Sequence, residues 1–505
     1  MTTFQERRNR LRNLMSQMSV DAYLITNRFN IYYLSGYTGD DGVVLVTEQS
    51  AYIITDSRFE EQIKTENPDI DSIITRDYLG EALNVVAKEN CVALAFESTL
   101  DYESFDYLDE NASSDVVALT KVIEKMRAVK DEDEISTIRK ACQLSRKGYE
   151  HILTKVYAGV TEKEMALELD YYLRKNGAAE ASFETIFASG DRTALPHATY
   201  SDKKIVEGEL VTCDFGYYFN HYTSDITRTF VVGKASDEIR KIYDIVKVAK
   251  EKTIEAIKAG ISSKELDEIG RGYIKEQGYG KYFTHGMGHG IGLDIHELPN
   301  ISYSYPDVLE AGEIVTIEPG IYIPGLGGVR IEDDILVTEK GYENLTALVS
   351  QAWTEGFYSK PRVDLDLLAK HSEGLIASSA CLAGAIPRAC RRGDYEEAKR
   401  LALVHNEIFG QGNFYIELQD HGIEAQREIN PMLIRISEET GIPLIATNDS
   451  HYIKKEDSQM HYILMCIQTN HTVEDDDRME FASDEFYVKT EEEMRALFPE
   501  HPEAF

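Results

Sequence analysis

Gly208-Glu209-Leu210-Val211-Thr212-Cys213-Asp214-Phe215-Gly216 and Gly312-Glu313-Ile314-Val315-Thr316-Ile317-Glu318-Pro319-Gly320 are two copies of one pattern. Each runs Gly-Glu, then four residues suited to a strand, then an acid, then a glycine two residues later. The copies extend upstream. Ala158-Gly159-Val160-Thr161-Glu162-Lys163-Glu164 matches Ala259-Gly260-Ile261-Ser262-Ser263-Lys264-Glu265. Both carry a capping-box signature, Thr161 with Glu164 and Ser262 with Glu265, which predicts a helix start. Tyr172 and Gly177 recur at the offset of Tyr273 and Gly278. The chain therefore predicts two half-domains of helix plus strands, packed about a pseudo-twofold axis.

Each copy continues into a second strand with another acid. The first reads Thr223-Ser224-Asp225-Ile226-Thr227-Arg228-Thr229, the second Val329-Arg330-Ile331-Glu332-Asp333-Asp334. Two hairpins thus aim Asp214, Asp225, Glu318 and Glu332 at one axis. Four carboxylates cannot all stay ionised in a cleft without compensation, and divalent cations supply it. Carboxylate with imidazole suits Mn, Co, Zn or Fe held as a bridged pair. The stretch from Thr284 to Glu297, THGMGHGIGLDIHE, offers an imidazole, and its glycines let backbone approach a site closely. Alone, this stretch reads equally as a Gly-rich loop with surface histidines. Beside four symmetric acids, the metal reading is favoured.

The rest of the chain sets the frame. Its 505 residues suggest about three domains. Hydrophobic residues, at 43%, suffice for real cores, and the net charge of -35 disfavours nonspecific binding to nucleic acid or anionic membrane. No apolar run of about 18 residues predicts a transmembrane helix. MTTFQERRNRLRNLM reads as an amphipathic helix and not as a signal peptide. Cys91, Cys142, Cys213, Cys381, Cys390 and Cys466 are scattered without a CxxC pair, which points to a reducing compartment and a cytoplasmic protein. Up to residue 128, the runs DAYLITN, GVVLVT, SAYIIT and VALAFES alternate with helical patterns, as in a compact α/β domain without clustered catalytic residues. A charged helical connector from Lys121 to Leu153 leads into the repeat.

The motifs CDFG, SDITRT, HGMGHGIGLDIHE, IEPGIY and GVRIEDD occur in this order and resemble the pita-bread metallopeptidases: aminopeptidase P, prolidase and methionine aminopeptidase. The resemblance spans residues 1 to about 345. It implies a creatinase/prolidase-type α/β domain over 1–128 and an α+β pita-bread catalytic domain over 129–345. It also implies that Asp214, Asp225, His289, Glu318 and Glu332 are the metal ligands, with Asp225 and Glu332 bridging. Creatinase-like relatives share the fold without this ligand set, so its presence favours a hydrolase over a noncatalytic binding module. NIYYLSGYTGDDGVVLVT resembles the extra domain of aminopeptidase P and prolidase, which methionine aminopeptidase lacks. This implies cleavage of Xaa-Pro bonds in peptides with proline second. Xaa-Pro aminopeptidase is the first reading, Xaa-Pro dipeptidase the second, and a homodimer is implied. Two divalent ions, Mn first among the candidates, are expected to convert a shared water to hydroxide that attacks the carbonyl before proline. Glu318 is expected to relay its proton. His197 and His296 are implied as the histidines that stabilise the intermediate or hold the proline side, with His285 and Arg330 shaping the substrate pocket. The plain alternatives are a satisfied loop histidine at His197 and a structural salt bridge at Arg330.

Beyond about residue 345 the sequence changes character. EGFYSKPRVD, EGLIASSACLAGAIPR, FYIELQDHG, GIPLIATNDSHY, ILMCIQT and EFYVKTEEEM resemble the PHP domain of the bacterial DNA polymerase III alpha subunit, in its later part only. This implies a truncated PHP-type (β/α) barrel over 346–505. The PHP metal site begins with an HxH pair, which does not occur in this chain. Cys381, His421, Asp449 and His451 match later metal-site motifs and are expected to be polar residues without a competent cluster. No Pro/Gly/Ser linker precedes this segment. Glu339–Leu345 reads both as the end of a peptidase and as a lead into Val349-Ser350-Gln351-Ala352-Trp353, so a chimera of two genes is expected. The third segment should then be weak, with open sheet edges and an unfilled core. FPEHPEAF is expected inside a helical pattern. A replication-associated role, by phosphoesterase chemistry or interaction, is the competing reading from another class.

Overall fold

The computed structural model describes residues 2–346, 365–372, 374–468, 481 and 483–505. They belong to two compact units, Met1–Ser350 and Gln351–Phe505.

The first unit opens with helix Thr3–Met18, started by a capping box between Thr2 and Gln5. It buries Leu11 and Met15 on one face, as its amphipathic pattern predicts, together with the stems of Arg7 and Arg8. The helix packs on a six-stranded mixed sheet in the order Asp71–Ile74, Ala51–Thr55, Val43–Thr47, Ala22–Ile25, Ala93–Glu97, Asp115–Leu119. Ala22–Ile25 and Val43–Thr47 are buried along their whole length, because helices cover both faces and their apolar runs do not alternate.

The repeat becomes two helix pairs, each followed by three strands. Helices Glu132–Leu153 and Glu162–Lys175 precede strands Ile186–Ser189, Leu210–Phe215 and Ile226–Val231. Helices Asp237–Glu255 and Ser263–Glu276 precede strands Gly288–Gly290, Ile314–Ile317 and Asp333–Val337. Thr161 and Glu164 form the full capping box. At Ser262 the forward half forms, its hydroxyl accepting from Glu265 N at 3.2 Å. Gly177 and Gly278 both take positive φ, 108° and 90°, and turn the chain out of equivalent helices.

The halves are not identical. Glu297–Ile301 and Tyr342–Asn344 widen the second sheet to five strands, and Gly320–Ile323 pairs with Gly327–Arg330 as a separate hairpin before Glu332. The first sheet is stitched to this hairpin and to Glu332 beyond it. Glu332 N donates to Thr227 O at 3.1 Å. Thr229 Oγ1 donates to Arg330 O at 2.8 Å and accepts from Arg330 N at 3.1 Å.

The second unit contains three parallel strands, Ala377–Ser378, Phe414–Leu418 and Leu444–Ala446. Among the described residues this is an open sheet and not a closed barrel. Among the described residues it carries a buried apolar cluster. Phe414, Ile416 and Leu418 are fully buried in one cluster with Ile386, Ala402 and Leu433, which come from helices Ala385–Arg391, Tyr395–Phe409 and Glu424–Thr440. The burial of Phe414–Leu418 alternates, so one strand face meets helices Tyr395–Phe409 and Glu424–Thr440, against which Ala385–Arg391 packs. FPEHPEAF is not helical throughout. Helix Glu491–Leu497 stops before it and Pro502–Ala504 makes one 3-10 turn, since Pro499 and Pro502 offer no backbone N–H. The expected join at Val349–Trp353 and the EGFYSKPRVD motif lie outside the described residues. Cys91, Cys142, Cys213, Cys381 and Cys390 are free thiols. No helix among the described residues is long and apolar enough to cross a membrane.

Candidate metal centre

Strand register brings the acids together. Asp214 lies opposite Thr227, so Asp225, two residues before Thr227, falls on the same sheet face. In the second copy Ile317 lies opposite Asp333, which sets Glu318 beside Glu332. His289 arrives on Gly288–Gly290. A Cβ at Gly288 would lie 1.9 Å from the Thr316 carbonyl oxygen, so glycine alone permits this approach. His289 N then donates to Thr316 Oγ1 at 3.1 Å.

The ring of His289 is oriented by Nδ1 on Gly290 O at 3.0 Å. Its Nε2 faces Asp225 Oδ2 at 3.6 Å and Glu318 Oε1 at 3.7 Å. Ligand atoms of Asp225, His289 and Glu332 all lie within 4.8 Å of one another. Asp214 Oδ1 and Asp225 Oδ1 are buried without a hydrogen-bond partner. Acceptors thus face acceptors, an arrangement that only protons or a cation make favourable. Burial, and then the charges of Glu332 and Asp214, pushes Asp225 well above the ordinary carboxylate range. Burial and the Glu318 charge do the same to Glu332. Glu318 rises to about 7 through burial, against the pull of Arg330. Burial and His296 lower His289 to about 4, which leaves its imidazole neutral and able to ligate. This donor set fits a divalent cation of the Mn, Co, Zn or Fe type.

The other predicted residues surround this group. Arg330 is committed to protein atoms: Nη2 to Asp214 Oδ2, Nη1 to Tyr322 OH at 2.9 Å and Pro196 O at 3.0 Å, Nε to Thr227 Oγ1 at 3.1 Å. Its plain alternative, a salt bridge to a nearby acid, is what the geometry contains. His285 bonds Gly286 O through Nδ1 and Tyr322 OH through Nε2, each at 2.8 Å, and burial lowers it to about 4. His296 stacks edge-on against His289 at 4.5 Å between ring centroids. His197 is exposed, on a loop fastened by the buried Glu162, which accepts from Ser189, Arg192 and Ser201. Histidines 197, 285, 289 and 296, the four paired acids and Arg330 line one cleft of about 410 Å³, with Phe183, Ile186 and Ile295 as apolar wall.

Two participants were missed in the sequence. Thr227 Oγ1 donates to Glu332 Oε2 at 2.6 Å while accepting from Arg330, so one hydroxyl orients two charged groups. Asp334 Oδ2 accepts the Asp225 backbone N–H at 3.1 Å and the Cys142 thiol at 3.2 Å. Period-two spacing was the available signal, since each sits two residues beyond a proposed ligand. In the second unit, His421 uses both ring nitrogens on Asn448 O and Gln426, and His451 lies 3.5 Å from Asp449. Cys381 is half-buried. Among the described residues, the Asp225 trio is the one such ligand grouping.

Residues 136–339 match metallopeptidase family M24, and residues 7–129 match the creatinase/prolidase N-terminal domain. The chain is 41% identical over 349 residues to the Xaa-Pro dipeptidase of Pyrococcus horikoshii, covering 68% of this chain and 98% of that protein. The solved Xaa-Pro dipeptidase from Bacillus anthracis is 42% identical with a TM-score of 0.67, covering 68% of this chain and 98% of that one. The X-Pro aminopeptidase from Thermotoga maritima is 37% identical with a TM-score of 0.64, covering 68% and 97%. A creatinase-type domain leading into a pita-bread fold, and an acid-lined cleft that calls for cations, agree with these likenesses: the chain belongs to metallopeptidase family M24, whose enzymes work with a pair of metal ions.

Proposed function

We propose that this protein hydrolyses the bond before proline in short peptides, as an Xaa-Pro dipeptidase first and an Xaa-Pro aminopeptidase second. The order expected from the sequence is reversed because the relatives named dipeptidase, from P. horikoshii and B. anthracis, are 41% and 42% identical, against 37% for the aminopeptidase from T. maritima. The observation that carries the reading is the Asp225, His289 and Glu332 trio with unpartnered buried oxygens beside it. Asp214, Asp225, His289, Glu318 and Glu332 would hold the ions, with Mn the first candidate. When bound, the metal pair supplies Lewis acidity and makes water acidic enough to ionise near neutral pH. Glu318 takes the proton released on attack and passes it to the proline nitrogen. His296 and His197 donate to the carbonyl oxygen as it gains charge and hold the proline side. His285, through Tyr322, keeps the wall of the pocket in place, and Arg330 neutralises Asp214.

Mn-dependent cleavage of an Xaa-Pro dipeptide, compared with the tripeptide extended beyond proline, tests this. The dipeptide should be favoured by about tenfold or more in kcat/KM. A preference for the tripeptide would restore the aminopeptidase reading, and activity that survives chelation would end the metal mechanism.

We further propose that residues 346–505 take no part in this chemistry, since every residue assigned to the cleft lies in the first unit. Their origin in a polymerase-type gene rests on sequence motifs. Sequencing source DNA across codons 335 to 355 tests the join, and an intact, transcribed junction in independent clones would overturn it. A phosphodiesterase assay on the same protein tests the replication-associated alternative.

A further inference from the structure

Glu297 directly follows His296 in the chain, and its side chain turns away from the cleft to a depth of 4% exposure. A carboxylate at that depth needs close compensation. Two cations meet it, both from the short connector that joins the N-terminal sheet to the catalytic helices. Arg127 Nη2 pairs with Oε1. Lys130 Nζ pairs with Oε2 at 3.1 Å. Asp294 N adds a bond to Oε1 at 3.0 Å, so the loop closes on its own carboxylate. Gly292 makes room for this, since a Cβ there would lie 2.6 Å from Glu297 Oε2. Arg127 is braced in turn by Asn30 Oδ1 at 2.7 Å, and Asn30 by Glu97 at 2.6 Å and Glu124 at 2.8 Å. Ile291, Leu293 and Ile295 of the same loop enter the apolar cluster of the N-terminal domain beside Tyr23, Ile31 and Ile123. A line of hydrogen-bonded polar groups, Glu97, Asn30, Arg127 and Glu297, therefore runs from the end of strand Ala93–Glu97 to the backbone under His296.

We infer that Arg127 and Lys130 are positioning residues for His296, acting through Glu297, so that the N-terminal domain sets the geometry of the cleft. The inference rests on the reading of His296 as a cleft histidine of the reaction. The clamp touches neither substrate nor reacting atoms. It holds the loop so that the His296 ring keeps its place 4.5 Å from His289. A small displacement of such a group lowers turnover more than it lowers binding.

The test is Arg127→Met in the full, Mn-loaded chain, with kinetics expressed per metal-loaded site. The expected result is a fall in kcat of about 10- to 100-fold with KM changed by less than about threefold. Arg127→Lys should recover part of the loss, because an ammonium can meet Glu297 without also reaching Asn30. Hydrogen exchange of the 288–297 amides should accelerate in Arg127→Met while amides of the second unit keep their rates. Unchanged kcat, or unchanged exchange of that loop, would overturn the inference. If Arg127→Met does not fold, Lys130→Met removes the other cation and must show the same split. His296→Ala serves as the reference. Full activity in His296→Ala would sink the reading beneath the inference, whereas loss there without loss in the clamp variants would sink the inference alone.

Discussion

His289 in the first unit and His421 in the second are both enclosed by protein, yet their ring nitrogens are used differently. His421 is closed on both sides: Nδ1 accepts from Gln426 at 2.8 Å and Nε2 donates to Asn448 O at 2.6 Å. His289 is closed on one side only, and its other nitrogen looks at carboxylate oxygens 3.6 and 3.7 Å away. A buried polar residue with every partner supplied is scaffold. One left facing like-natured acceptors is waiting for something positive. The same contrast separates Asp333 from Asp225. Arg228, Lys250, Asn344 and Thr346 surround Asp333 and hold it well below the ordinary carboxylate range, whereas Asp225 Oδ1 has no partner and its carboxyl is held far above that range.

The contrast breaks first at Asp225. Asp225→Asn should lower peptidase activity by about 10²–10³-fold, the scale on which loss of a preorganised electrostatic element is felt. Bound Mn, counted by atomic absorption, should fall with it. His421→Ala should leave peptidase activity within about twofold, while the second unit loses about 1–3 kcal/mol from the groups left unpaired. Equal effects of the two changes on turnover would erase the distinction.

Metal removal sharpens it. Glu318 and Asp334 both rise to about 7, chiefly through burial. Groups with raised pKa values stabilise the fold below their unfolded values, near 4, and lose that contribution as pH rises through the folded value. His285 and His289, lowered to about 4, act oppositely: their contribution is present above about 6.5 and is lost as pH falls toward 4. The two sets oppose each other below about pH 6.5, and above it the acids act alone. The Tm of chelated protein should therefore drop between pH 6.5 and 8, and Mn, held by Glu318, should lessen the drop. A flat profile in the chelated protein would remove the electrostatic argument for the ions.

The smallest effect concerns the units themselves. Limited proteolysis should cut near residue 350 and leave peptidase activity intact. The buried cluster around Phe414 sets what the trimmed second unit has to hold it together, and its survival as a fragment measures how weak that segment is. Uniform resistance along the chain would count against independent units.

The repeat was legible because its signals are local. Capping residues, strand-length apolar runs and an acid at a fixed offset are all contained within a few neighbours. The positions of Asp214, Asp225, Glu318 and Glu332 in one cleft follow from that pattern and from the period of a strand. What was illegible depends on partner choice over long sequence distance. Arg330 faces Asp214 across 116 positions, and Arg127 reaches Glu297 across 170. Nothing near either arginine specifies which acid it meets. In the second unit the partners of Phe414 were illegible for a similar reason: they come from helices spread over the chain from Ile386 to Leu433.

Gly288 carries a practical consequence. With the Thr316 carbonyl 1.9 Å from where a Cβ would stand, the backbone itself is the wall of the cleft at that point. Redesign of specificity has to work through removable side chains such as Phe183, Ile186 and Ile295. A library randomised around the cleft and selected for turnover should return many sequences at those positions and glycine alone at 288. At that position the cleft offers no side chain to exchange.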